Sequence, residues 1–190
     1  MKSYLLLYLF LVLIISSCIK SGTQNEYLLS DEMKDQNPFM GGEKLYFWTD
    51  SSEQIIYNVN ARDNKVHKYY NGNNTNIWDL YEVERMYLSY NQETEFHFEM
   101  LRNGYFKFRI DMYYKDKRGR QFEFKLPLNK ENEIFIDSLF IREILYRNIY
   151  VCEKDTLKNK AYRLYYTTEN GIIKVDFSDN SSIELDKIEW

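Results

Sequence analysis

The chain has 190 residues, with 25 Lys or Arg against 29 Asp or Glu, for a net charge of −4. That balance argues against a nucleic-acid partner, which calls for a basic surface, and the length is typical of one domain. Eighteen Tyr, 12 Phe and three Trp against two Pro and seven Gly favour strands over helices.

Lys2 gives a positive start, and Tyr4 to Ile15 is an unbroken apolar run. The run fits the core of a secretory signal and is too short for a transmembrane helix, which needs about 20 residues. Ser16, Ser17 and Cys18 follow. The stretch Ile15-Ser16-Ser17-Cys18 resembles the lipobox of bacterial lipoproteins. The resemblance implies that residues 1–17 are removed as a signal peptide and that Cys18 carries the lipid which anchors the protein to a membrane. Two or three acyl chains hold a protein stably, whereas one does so only marginally. Ile19 stands where an inner-membrane retention Asp would be, and Lys20-Ser21-Gly22 lacks an acidic surface-export cluster. The address implied is the outer membrane, facing the periplasm. With Cys18 lipidated, Cys152 is a lone thiol, read as a small buried hydrophobe.

Residues 18–42 are polar, with weak periodicity and Asn37-Pro38 and Gly41-Gly42 near the end. They read as a flexible tether, with a short helix allowed over Glu26–Lys34 and Asp31-Glu32 suited to its first turn. Residues 43–190 read as one β-rich domain. Leu45–Trp48, Ile55–Val59 and Val66–Tyr70 are predicted strands, Asn71–Asn76 a loop, Ile77–Leu80 a helical turn and Val83–Tyr90 a strand.

The clearest pattern runs from Phe96 to Leu126. Phe96, Phe98 and Met100, then Phe106, Phe108, Ile110 and Met112, then Phe122, Phe124 and Leu126 alternate with polar residues, the period of half-buried strands. A loop Arg102-Asn103-Gly104 would set Met100 opposite Phe106. A loop Lys117-Arg118-Gly119 would set Met112 opposite Phe124. Pro127 ends the third strand. Ile134–Ile136 is a strand, and Ser138–Arg147 suits either period. Asn148–Glu153 is a strand, Ala161–Thr168 and Ile172–Phe177 form a hairpin about Glu169-Asn170-Gly171, and Ile183–Leu185 closes the set. The fold class is therefore mainly β: an antiparallel meander forming a curved sheet or partly closed barrel behind an N-terminal tether. Asn148–Val151, Tyr165-Tyr166, Gly171–Lys174 and Ile183–Leu185 together look like the C-terminal half of small, β-rich Bacteroides-type lipoproteins. Some of these have curved-sheet folds that resemble periplasmic lipoprotein carriers.

Chemistry-bearing patterns are few. Glu95, His97 and Glu99 share one strand face, but same-face neighbours stand almost 7 Å apart, so the reading is a solvated face and not a metal site. His67 has no recognisable partner. Glycine-rich phosphate loops and nucleophile elbows are absent from the sequence. No catalytic residue, metal or cofactor is assigned. Tyr69-Tyr70, Tyr113-Tyr114 and Tyr165-Tyr166 split across two strand faces, which suits packing better than sugar stacking. Phe96, Phe98, Phe106, Phe108, Phe122 and Phe124 are the candidate ligand-facing residues of a concave sheet, or else its core. Asp137-Ser138-Leu139 and Asp155-Thr156-Leu157 resemble the O-glycosylation acceptors of Bacteroides-type bacteria, which makes Ser138 and Thr156 candidate sites. The expected function is non-enzymatic: a lipid-anchored envelope protein that binds an apolar ligand or an envelope partner. The alternatives are a structural or protein-interaction module of the outer membrane and, third, an enzyme without a recognisable motif.

Overall fold

The computed structural model describes residues 22–70, 77–90, 94–114, 117–157 and 160–190. The chain falls into two units, residues 1–28 with 66–82 and residues 29–65 with 83–190. The lipobox, the Asn71–Asn76 loop and Lys115-Asp116 lie outside the described residues.

In the first unit, β1 (Gly22–Tyr27) pairs in parallel with the opening residues of β5 (Ile77–Tyr90), and β4 (Asp63–Tyr70) also pairs β5. Residues Ile77–Leu80, expected as a helical turn, are therefore strand. Their Ile-Trp-Asp-Leu sequence has too few residues for a helix, and pairing on β1 satisfies its backbone. Aromatic rings hold this unit. Tyr27 lies 4.8 Å from Tyr81, Tyr69 meets Tyr81 edge-on at 5.0 Å, and Tyr70 meets Trp78 edge-on at 6.2 Å.

The second unit begins with a short helix, α1 (Asp31–Lys34), whose N-cap Ser30 accepts a bond from the Met33 amide at 3.3 Å. The strands follow: β2 (Lys44–Thr49), β3 (Gln54–Val59), the second half of β5, β6 (Thr94–Asn103), β7 (Tyr105–Tyr114), β8 (Lys117–Lys125), β9 (Ile134–Ile141), β10 (Ile144–Glu153), β11 (Ala161–Thr167), β12 (Gly171–Phe177) and β13 (Ser182–Glu189). Their order is β8-β7-β6-β5-β3-β2-β13-β12-β11-β10-β9, and the described pairings are antiparallel. The sheet curls into a half-barrel. Strand β8, at one end of the order, comes against β10 and β11 near the other. Mainly β architecture with a curved antiparallel sheet is what the alternation predicted.

Two registers differ from expectation. Met100 faces Phe108, not Phe106, and Gly104, at φ 79°, takes the apex of the first hairpin in place of Asn103. Glycine adopts that conformation without steric cost. In the second hairpin Phe108 faces Phe124 and Ile110 faces Phe122, and residues 117–119 belong to β8 instead of forming a loop. Both shifts are by an even number of residues, so the buried face is unchanged.

The tether also ends earlier than expected. Residues 29–42 are part of the second unit, with Leu29, Asn37 and Phe39 buried. The cause is a set of bonds the local sequence does not advertise. Arg62 donates to the carbonyls of Asn37 (2.5 Å) and Phe39 (3.0 Å), and the Tyr166 hydroxyl donates to the Gln36 carbonyl at 2.7 Å. The Leu128 amide donates to the Gln36 side chain at 2.6 Å.

Candidate functional site

Three places in the second unit gather the residues of interest. The first is the inner face of β6, β7 and β8. Phe96, Phe98, Phe108, Phe122 and Phe124 are buried and Phe106 is half-buried against the same core. Phe98 contacts Phe108 at 5.7 Å. Tyr166 packs edge-on against Phe108 at 5.1 Å and lies 5.9 Å from Phe124. Phe39, from the N-terminal segment, meets Phe98 edge-on at 6.0 Å and lies 6.2 Å from the Trp190 ring. The six phenylalanines are thus brought together, and what several of them face is the chain's own aromatic side chains. Burial lifts the Tyr166 phenol well above its ordinary value, with Glu84 pushing the same way and Arg62 opposing. The phenol therefore stays protonated and able to donate to Gln36. Arg62 also lies 3.4 Å from buried Glu84, so one guanidinium ties the N-terminal segment to a carboxylate of β5.

The second place is the outer face of β5–β8. Register sets Arg85, Glu99, Arg109 and Glu123 in one row and Tyr87, His97, Asp111 and Gln121 in the next. Arg85 donates to Glu99 at 2.8 Å, Arg109 contacts the other Glu99 oxygen, and Arg109 Nε lies 3.3 Å from Asp111. Glu99 is only 4% exposed, a burial its two guanidinium partners make tolerable. His97 stacks on Tyr87 at 4.5 Å and stands 3.7 Å from Asp111. Burial is the main cause that lowers the His97 pKa and raises that of Asp111. Among the described residues no group of three His, Cys, Asp or Glu is placed to hold a metal ion. The Glu95 side chain is outside the described set, and Glu99 is taken up by arginines.

The third place is the ribbon β9–β10. Ile134, Phe140, Ile144 and Leu145 are exposed there, and Phe140 pairs Leu145 across the two strands. Ser138 lies exposed in β9, and Thr156 lies exposed in irregular backbone after β10. Cys152, on β10, is buried with its thiol 3.5 Å from the Glu123 carbonyl, and burial pushes its pKa up. It behaves as the small hydrophobe expected. In the first unit, His67 lies 6.5 Å from Tyr69.

No family model, no curated protein and no solved structure matches this chain. Function is therefore argued from the residues alone. Sequence reasoning missed the contribution of residues 36–39 and of Arg62. A lone Phe inside a polar stretch was the only available signal, and it carried no period.

Proposed function

We propose that this chain is a lipid-anchored cell-envelope lipoprotein that acts by binding an envelope partner, without chemistry of its own. In this reading residues 1–17 direct export, Cys18 carries the lipid, and the body stands on the periplasmic face of the outer membrane. One observation favours a partner on the surface over an apolar ligand within. Phe39 occupies the seat beside Phe98 and Trp190, so an apolar guest there would have to displace it. The ionisable groups of the outer face neutralise one another in pairs, which supports a non-enzymatic role. Among the described residues no helix is long and apolar enough to cross a membrane, and the lipid is the anchor proposed. Carriage of an apolar ligand against Phe96, Phe98, Phe108, Phe122 and Phe124 is the second reading, favoured by the concave apolar face.

Mass spectrometry of the protein recovered from envelopes tests both. The expected denatured mass lacks residues 1–17 and carries a diacylglycerol on Cys18. An unmodified Cys18 overturns the anchor. A native adduct that is lost on denaturation would replace the partner reading with the carrier, and the same spectrum reports any glycan on Ser138 or Thr156.

A further inference from the structure

We propose that β9 is a self-pairing edge, through which two copies of this chain join in an antiparallel dimer with Ser138 on the twofold axis. The proposal deepens the binding-module reading by naming the partner as a second copy, and it does not depend on lipid at Cys18.

The strand order of the second unit has two ends. Strand β8 lies against β10 and β11, whereas β9 is paired only to β10 among the described residues. A free edge exposes a row of backbone donors and acceptors, and proteins usually blunt it with Lys, Pro, a bulge or a very short strand. Strand β9 has no Lys, Pro or bulge, and its one charge, Asp137, is met by Lys130 at 3.7 Å. It is eight residues long, Ile-Phe-Ile-Asp-Ser-Leu-Phe-Ile, and its pairing with β10 runs without a register shift. Ile134 is 51% exposed and Phe140 70% exposed.

The sequence of β9 also complements itself. In an antiparallel pair related by an axis normal to the sheet, opposed residues share a face, so the axis must pass through a residue. Near-complete overlap of Ile134–Ile141 leaves two choices. An axis at Asp137 would oppose two carboxylates, which is destabilising. An axis at Ser138 opposes the two serines and sets Leu139 opposite Asp137, Phe140 opposite Ile136 and Ile141 opposite Phe135. No like charges meet, and exposed Phe140 gains an apolar neighbour on its own face. Asp137, the single charge in the strand, is what selects the register.

The test uses the full chain in cells, with whole extracts and envelopes treated with copper–phenanthroline and run without reductant. Opposed residues of such a pair hold their Cβ atoms about 4.5–5.5 Å apart, close enough for a disulfide after small adjustment. Ser138→Cys is expected to convert most of the protein to a species of twice the mass. Glu131→Cys, exposed but off the axis, should cross-link no more than the unsubstituted chain, whose Cys152 is buried and which reports any cross-link made through a Cys18 that carries no lipid. Adding Phe140→Lys to Ser138→Cys should cut the dimer several-fold at equal protein level. A Ser138→Cys yield no higher than that of either control, or one indifferent to Phe140→Lys, overturns the proposal. Fractionation of the same cells reports the envelope address separately, so the two readings fail independently.

Discussion

Phe39 and Gly171 are 132 positions apart in the chain and share one small volume. A Cβ built on Gly171 would stand 2.4 Å from the Phe39 ring, and Gly171 sits at φ 72°, a conformation side chains resist. Its missing side chain therefore serves both the turn and the seat of a ring. Phe39→Ala should cost about 3–5 kcal/mol, the usual range for emptying a buried aromatic site. Gly171→Ala should cost about 2 kcal/mol or more, since the left-handed conformation alone costs about 1–2 kcal/mol and the ring must also move. The two should be coupled: in a Phe39→Ala background the alanine keeps its backbone cost and loses the clash. Urea unfolding of the four proteins checks this, and strict additivity would mean that the ring is not seated against Gly171. The sequence put Gly171 in the turn, whereas the structure makes it the first residue of β12, paired with Thr167 just past the turn. Nothing near it pointed to Phe39, because contact across that separation leaves no local pattern.

Among elements, the β9–β10 hairpin shows where pattern stopped informing. Ser138–Arg147 fitted both periods because the ribbon uses both faces. Ile149 and Val151 are buried beside one face, Ile141 and Tyr146 beside the other. Its two-residue loop places Arg142 at φ 48° and Glu143 at φ 70°, neither of them glycine. Arg142 has compensation, its guanidinium 5.2 Å above the Trp48 ring and 3.9 Å from Asp186. Replacing Glu143 by Gly should relieve strain and stabilise by about 1 kcal/mol. A rise in Tm of about 2–4 °C is the expected scale for a protein of this size. A lower Tm would show that the Glu143 side chain contributes more than its backbone costs. The meander β6–β8 is the opposite case. Its alternation revealed the buried face, and only the register escaped, because a slip of two or four residues preserves every face.

For the molecule as a whole, the buried charges of the outer face make stability depend on pH. Burial depresses the His97 pKa below its ordinary 6.5, so the unfolded chain takes up a proton at a higher pH than the folded one. The stability from keeping His97 neutral is complete above 6.5 and is lost as pH falls through the folded value. Asp111 runs the other way. Its pKa is raised, so the folded state gains a proton first and recovers stability as pH drops toward 4. Between pH 7 and 5.5 the histidine should dominate. The wild type should lose Tm across that window, and His97→Gln should lose clearly less. Parallel profiles would remove His97 as the cause.

Strand β2 takes β13 as one of its two neighbours, more than 130 residues later in the chain, and Phe39 waits for Trp190. The N-terminal part of the core therefore cannot finish folding until residues 182–190 have been made. Until β13 arrives, β2 is an open edge and the Phe39 ring lacks part of its wall. Closure over such separations is slow, and apolar surface exposed meanwhile invites association. Such a chain stays without its closed core until those distant residues have been made.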